Sequence, residues 1–419
     1  MFHHDILICG GGLVGASLAL ALAQLKLNVA IAEAVPFANT GHPNTEHPSF
    51  DERTTAISNG TQRIFNALGV WPLIERAATP IKRIHVSDQG RFGFARIEAQ
   101  EQGLAQLGYV VVNRAMGEAL WRRLREEKIE LYAPARVVSV KLEGKHQLVM
   151  LASGLTPHAP GPTSLSTSLV IAADGARSAV REAAGIGAST QDYNQTAIIA
   201  NLAAQKFHNH VAYERFTPAG PLAILPLADA RVGLVWVLKP ELAEQVLQLN
   251  DIDFIARLQE SFGFRLGRFT QVGKRSSYPL SLTQSEQHIA ERLAVIGNAA
   301  QGLHPIAGQG FNLGLRDAAC LAEVLADAQR EQSAEFDPGS QNVLQRYAAW
   351  RGEDRRGIIN FTDGLTRLFT QGFGPVKALR DIGMLLFDLS PRAKDYLAQL
   401  SLGAAGKIPR MARGGELVE

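Results

Sequence analysis

Residues 5–33 read DILICGGGLVGASLALALAQLKLNVAIAE, and they decide the fold. Asp5 to Cys9 is a short apolar run suited to a buried strand. Gly10, Gly12 and Gly15 then supply G-x-G-x-x-G, and residues 16 to 25 are rich in Ala and Leu, as in a packed helix. A second strand, Val29 to Ala32, ends in Glu33, 18 residues beyond Gly15. Strand, glycine turn, helix, strand and acid in this order predict a βαβ unit holding a dinucleotide. Gly10 allows the tight turn, Gly12 lets backbone approach a pyrophosphate, and Gly15 lets helix and strand pack closely. The helix N-terminus offers unpaired N–H groups to phosphate, and a carboxylate at Glu33 accepts hydrogen bonds from a ribose diol. Two readings compete: a plain tight turn, and a membrane span, because residues 6 to 25 carry no charge over 20 positions. Four glycines in the first half of that window, with Asp5 and Lys26 at its ends, favour the buried βα unit.

The chain has 419 residues, enough for two domains or a large α/β domain with a smaller partner. Apolar residues make up 46% and charged residues 20%, so a sizeable core forms and global disorder is excluded. Lys plus Arg is 42 against 40 for Asp plus Glu, which leaves nothing to recruit nucleic acid, and no basic run is interleaved with aromatics. Cys9 lies in the first strand and Cys320 in an apolar helical pattern; both read as buried thiols, with no metal-ligand spacing. His3 and His4 are adjacent but make a poor ligand pair. MFHHDIL has no basic n-region, so the expectation is a cytoplasmic protein, with contact at the inner membrane left open.

Further along, residues 36–52 form a Pro- and Asn-rich loop, and 60–68 a helix closed by Gly69. Residues 81–95 read as a hairpin, 109–112 as a strand, 114–127 as a helix, and 135–142 and 146–152 as strands joined at Gly144. Residues 154–168 are rich in Pro, Gly, Ser and Thr and read as a surface loop. Residues 169–173 form a buried strand ending at Asp174-Gly175, and 195–238 are strand-rich. A helix is expected at 251–264, a strand at 293–297, a helix from Asn312 to about 331, and helices again up to Gly403. Nucleotide-type segments thus lie at 1–75, 105–190 and 285–335, and antiparallel strands at 76–104 and 191–284. A helical region follows at 340–403 and a tail at 404–419. The fold class is α/β: a Rossmann-like domain interleaved with an antiparallel sheet that caps it, leaving a ligand cavity between them.

Two more motifs accompany the first. Residues 173–181, ADGARSAVR, are a strand end, a tight turn and a helix start. Arg177 and Arg181, four apart, share a helical face if the helix begins there; a capped turn and a binding site are equally good readings. Residues 295–317, VIGNAAQGLHPIAGQGFNLGLRD, form a second glycine-rich loop feeding a helix, suited to an electron-rich or anionic group. Each motif is ambiguous alone; all three in this order are far more specific.

With these three motifs the chain resembles the flavin-dependent aromatic hydroxylases that have a single FAD domain. It is most similar to the branch acting on the polyprenylated ring in ubiquinone biosynthesis, the 2-polyprenyl-6-methoxyphenol hydroxylases. FDERTTAIS, ATPIKRIHVSDQGRFGF and VIGNAAQGLHPIAGQGFNLGLRD carry the branch-level likeness, and the resemblance covers nearly the whole chain. It implies that Gly10, Gly12 and Gly15 hold the FAD pyrophosphate, that Glu33 holds the adenosine ribose, and that Arg53 and Arg114 reach the phosphate and ribityl side. It implies that Asp174 and Gly175 form the turn serving FAD and NAD(P)H. Members at large carry Asp where this chain has Asn298 against the ribityl chain; the closest branch shares the Asn, which keeps a hydrogen bond without the charge. Pro305, Gly308, Gly310 and Asn312 would line the isoalloxazine ring.

The reaction so implied is reduction of FAD by NADPH or NADH, addition of O2 to give a flavin C4a-hydroperoxide, and hydroxyl transfer to a polyprenylated phenol. The protein's part is to place the ring and exclude water. His304 and Pro305 are the catalytic candidates, with His304 the nearest base for the phenol and a structural histidine the competing reading. No metal is expected. The chain carries no second G-x-G-x-x-G following a strand and no Cys pair for electron relay. From Val376, apolar residues at Leu379, Ile382, Leu386 and Leu389 mark a helical face. Core packing, self-association, and docking to a quinone-synthesis complex or membrane surface all remain open for it. The alternatives in function are hydroxylation at another ring position or of a soluble phenol, and a non-catalytic flavoprotein subunit.

Overall fold

The computed structural model describes residues 2–36, 53–90, 94–153, 163–302, 309–352, 357 and 406–418. His304, Pro305, Gly308 and the 376–402 face lie outside these residues.

The first sheet is built on the opening βαβ unit. Phe2–Cys9 pairs in parallel with Val29–Ala32 on one side and Thr163–Ala172 on the other. Glu130–Tyr132 extends the sheet beyond Val29–Ala32, and Leu293–Val295 extends it beyond Thr163–Ala172. Both faces of these strands are covered, which is why they read as unbroken apolar runs. On one face lie the helices Leu13–Ala23, Asn113–Glu126 and Gln309–Gln332, in a core that includes Ile6, Ile8, Leu18, Leu120 and Leu321. Helix Leu13–Ala23 is buried along almost its whole length, which accounts for its lack of charge; it is a packed βα helix, well short of the length a membrane span requires. The other face is covered by the hairpin Ala135–Glu143 and His146–Ser153, with Val140, Val149 and Leu151 packed on Leu7 and Val170.

This hairpin corrects one expectation. Residues 163–168 are strand, since Thr163–Ala172 pairs with His146–Ser153 through its first half and with Leu293–Val295 through its second. Leu165 and Thr167 point inward and are fully buried. Both cysteines are buried, as expected.

The second sheet is antiparallel for the most part. Its order is Gln301–Gly302, Ser276–Ser285, Ala188–Ala204, Arg231–Leu238, Gly220–Pro226, Val211–Thr217, Arg83–Asp88 and Phe94–Glu98, with Phe269–Val272 also on Ala188–Ala204. Helices Pro240–Gln248 and Asp251–Phe262 cover one face, where Ile198, Leu222, Leu234 and Trp236 meet Phe254 and Leu258. A three-stranded sheet of Thr54–Ser58, Gly108–Val112 and Thr79–Ile81 lies against the other face through Ala56, Val110 and Ile81, which pack with Ala212 and Leu225.

Residues 406–418 pack into the structure. Met411, Ala412 and Leu417 are buried in the main core, and Glu323 accepts the Arg410 backbone N–H at 2.6 Å. Among the described residues no helix is long and apolar enough to cross a membrane.

Candidate cofactor site

Register places the three motifs together. Cys9 pairs with Ala32 on one side and Ala172 on the other, and Ala172 pairs with Val295. Four strands therefore end in one row, and the next residues along each chain are Glu33, Gly10, Ala173 and Ile296. The chain moves from Phe2–Cys9 to Val29–Ala32 in one direction and onto Thr163–Ala172 in the other, so the topological switch point falls at Gly10. Ligands of open α/β sheets bind at that crevice, beyond the carboxyl ends of the strands.

The glycine turn is required by contact as well as by conformation. Gly10 has φ +109°, and a Cβ there would meet the Ala173 carbonyl oxygen at 2.4 Å. A Cβ on Gly15 would sit 2.0 Å from the Gly10 carbonyl oxygen. Gly12 is the helix N-cap, without a side-chain cap, and no acid occupies the first turn. The first N–H groups of Leu13–Ala23 are thus left for an anion, which fits a pyrophosphate. Glu33 is buried; one oxygen accepts the Gly11 N–H at 2.6 Å and the other the Val35 N–H at 2.9 Å. The carboxylate thus stands at the end of the second strand, where a ribose diol would be held.

Asp174 follows the third strand. It accepts the Ser178 hydroxyl and the Val180 N–H, the latter at 3.2 Å, and so holds the start of helix Ala179–Ala183. Burial pushes its pKa up, opposed by these hydrogen bonds. Gly175 has φ +88° with open space around it, so the turn's shape asks for glycine. Arg177 and Arg181 do not share a helical face: Ser178 caps the helix, Arg177 precedes it and is exposed, while Arg181 is buried and donates to the Ala299 carbonyl at 2.8 Å. Arg181 thereby ties the second motif to the third.

In the third motif Gly297 takes φ +59° and Asn298 is exposed beside it. Beneath them lies a polar group that sequence reading missed. Asp317 Oδ2 accepts the Gly297 N–H and Gln301 Nε2, each at 3.0 Å, and Oδ1 accepts Arg351 Nε at 2.8 Å. Asp317 and Arg351 are both fully buried. The available signal was Asp317 itself, a charge among the apolar positions Leu313, Ala318 and Leu321; nothing marked Arg351.

Asn312 ties two segments together. Its Oδ1 accepts the Ser58 N–H at 2.9 Å and the Thr61 hydroxyl at 2.7 Å, and its Nδ2 donates to the Ala56 carbonyl at 3.0 Å. It pins the first turn of Gln309–Gln332, where Gly310 also lies, to the 54–61 segment. That turn contains no acid. Arg53 and Arg114 come together because Thr54 pairs with Val112, and Arg53 accepts the Asn113 N–H at 2.8 Å. The Arg53 guanidinium lies 4.9 Å from the Tyr278 ring centroid, and Arg114 is exposed and donates to Glu118.

A family model described as an FAD binding domain matches residues 3–353. The chain belongs to this family. It is an FAD-dependent monooxygenase, and the bare helix N-terminus, glycine turn and Glu33 carboxylate fit that cofactor. Ubiquinone hydroxylase UbiL of Rhodospirillum rubrum is 37% identical over 98% of this chain and 92% of its own length. The 3-demethoxyubiquinol 3-hydroxylase of Escherichia coli is 31% identical, over 95% and 98%. Ubiquinone biosynthesis monooxygenase COQ6 of Xenopus tropicalis is 29% identical, over 91% and 89%. Among solved structures, p-nitrophenol 4-monooxygenase PnpA of Pseudomonas putida superposes with a TM-score of 0.76 at 18% identity, over 97% of this chain and all of that one, and shares the fold.

Proposed function

We propose that the protein hydroxylates a polyprenylated methoxyphenol ring in ubiquinone biosynthesis, using NAD(P)H and O2. The observation that carries this reading is the single row of strand ends, at which Gly10, Glu33, Asp174 and Gly297 meet; full-length relatives named as ubiquinone hydroxylases supply the substrate class.

Bound FAD supplies the redox and oxygen-transfer chemistry. The chain's own residues hold and orient it. The N-terminus of Leu13–Ala23 would take the pyrophosphate, Glu33 the adenosine ribose, Arg53 and Arg114 the phosphate and ribityl side, and Asn298 the ribityl hydroxyls. Asp174 and Gly175 would shape the edge approached by NAD(P)H. The acid-free first turn of Gln309–Gln332, with Gly310, favours negative charge near it. Pro305 and Gly308 keep their sequence-based assignments along the flavin ring, and His304 keeps its competing one, a structural histidine before Pro305.

The test is direct. The purified protein should be yellow, NAD(P)H should bleach it, and a 2-alkyl-6-methoxyphenol should accelerate bleaching. A colourless protein that takes up no FAD would sink the reading. Quinone precursors accumulating in a deletion strain would separate this ring position from another, or from a soluble phenol. For the 376–402 face, packing within the chain or self-contact stands ahead of docking to a membrane or biosynthetic assembly; unchanged fractionation after its deletion would count against docking.

A further inference from the structure

The second sheet carries a carboxyl group that the cofactor site does not use. Glu214 lies in Val211–Thr217, between Gly220–Pro226 and Arg83–Asp88. Register puts Ala223 on one side of it and Val86 on the other, with Val235 and Ile199 beyond Ala223, and Ala95 beyond Val86. Glu214 is thus a single carboxyl in a row of five apolar side chains.

Strand alternation fixes the face to which this row belongs. Tyr213, one residue earlier, packs on Phe262 beneath the two helices, and Arg215, one later, donates to the Ser261 carbonyl. Glu214 therefore points to the opposite face. That face also carries Tyr278, under the Arg53 guanidinium, and Gly233, where a Cβ would sit 2.8 Å from the Thr54 hydroxyl. It looks toward the segment that leads into the cofactor site.

Other buried carboxylates here are satisfied. Asp317 has Arg351, Glu33 has two backbone N–H groups, Glu323 has Arg410, and the partly buried Asp337 has Arg292. Glu214 accepts no hydrogen bond or ion pair from any described residue. It is half-buried, and burial alone, with no charged neighbour contributing, pushes its pKa up to about 7. Glu214 thus keeps part of its surface open while apolar side chains flank it. An unpartnered polar group in such a place costs stability, and titratable groups left in that state concentrate at functional sites.

We propose that Glu214 meets the hydroxyl of the aromatic substrate and accepts its proton. This rests on the phenol hydroxylase reading given above. The phenol O–H bond breaks, the proton passes to a Glu214 carboxylate oxygen, and the electron pair stays on the ring oxygen, enriching the ring carbons that are to be hydroxylated. The carboxyl becomes neutral, and the proton leaves to solvent with product. A phenol titrates near 10, as tyrosine does, and an ordinary glutamate near 4.3; a carboxyl poised near neutrality is the better matched base. The neighbouring row of Ile199, Val235, Ala223 and Val86 suits the rest of an apolar ring.

The experiment uses the FAD-loaded enzyme, with 2-methoxy-6-methylphenol as the probe. Difference absorbance reports ionisation of the bound phenol against pH, and steady-state assays give kcat/KM against pH. On the same sheet face the other titratable or charged groups are Asp88, Tyr193, Tyr278 and Arg231, and Arg53 faces them from the 53–58 segment, so variants are read against parent profiles. Glu214→Gln should keep FAD and its reduction by NAD(P)H, lose phenolate formation, lose the acid limb near pH 7, and drop kcat/KM by about 100-fold or more. Glu214→Asp should restore part of the ionisation. Since Gln removes a half-buried group whose charged form burial disfavours, its Tm should equal or exceed that of the parent. A Gln variant that still ionises bound phenol with the parent's pH profile overturns the assignment of Glu214. Failure of the parent enzyme to bind FAD or the phenol would overturn the hydroxylase reading instead.

Discussion

Arg351→Met tests how the carboxyl edge is held. Asp317 and Arg351 lie 2.8 Å apart with no exposure, and the other Asp317 oxygen takes the Gly297 N–H and Gln301 Nε2 at 3.0 Å each. Methionine keeps much of the apolar stem and removes the charge, so Asp317 loses this partner and keeps, among the described residues, two neutral donors. Removing one partner of a buried pair costs about 3–5 kcal/mol. Two surviving hydrogen bonds, each worth about 1 kcal/mol, put the loss near the lower end. An unfolding entropy of about 2.1 cal/mol/K per residue gives about 0.9 kcal/mol/K for 419 residues. A loss of about 3 kcal/mol then lowers Tm by about 3–4 °C. Gly297 needs its anchor to hold φ +59°, so flavin should also be lost more readily in gel filtration. Calorimetry with and without added FAD reads both effects. Replacing both partners, Asp317→Leu with Arg351→Met, should cost less than the sum of the single changes, because neither charge is then stranded. If Arg351→Met melts within about 1 °C of the parent and keeps its flavin, the pair does not support the site.

Gly15→Ala drives a methyl group to 2.0 Å from the Gly10 carbonyl oxygen, and relief requires parting helix from strand; flavin per protein, read by absorbance, should fall at least about tenfold, while Gly175→Ala, with open space around it, should retain most of its flavin at a strain cost of about 1 kcal/mol. Asn312→Ala removes three hydrogen bonds and strands the Ser58 N–H, so urea unfolding should show a loss of about 2–3 kcal/mol; a loss below about 0.5 kcal/mol would mean that the 54–61 segment is held by packing alone. His85 stacks on Phe94, and its pKa is pushed down to about 4 by burial first, then by Arg265, Arg96, Arg83 and Arg215. Between pH 6.5 and 4 the unfolded chain binds the proton and the folded one does not, so stability falls as pH falls through that window. His85→Phe should flatten that limb of the Tm–pH curve, and an unchanged slope would exclude His85 as its source.

The opening βαβ unit was legible because each rule acts locally: full burial leaves unbroken apolar runs, and backbone contact between neighbouring turns leaves only glycine. Where pairing is distant, the reading failed. Thr163 to Ser168 looked like loop on composition, although Leu165 and Thr167 already alternate inward; the partner that makes them strand, His146–Ser153, shows only in the sheet. Asn312 keeps its sequence-based place along the flavin ring, but its bond to Ser58, 254 residues away, left no local sign. Glu214 is the most telling case. Along its own strand, Glu between Tyr213 and Arg215 is one polar residue among several, which in a half-covered sheet reads as a solvated face. The strand order alters that meaning. It brings Val86 alongside from the hairpin region, Ala223 from the next strand, and Arg53 with Tyr278 onto the same face. The same carboxyl then stands among apolar neighbours, without a partner among the described residues, on the face that carries Tyr278 under Arg53. Sequence gives the residue type; chemistry is assigned by neighbours, and in a mixed sheet those neighbours are chosen by topology.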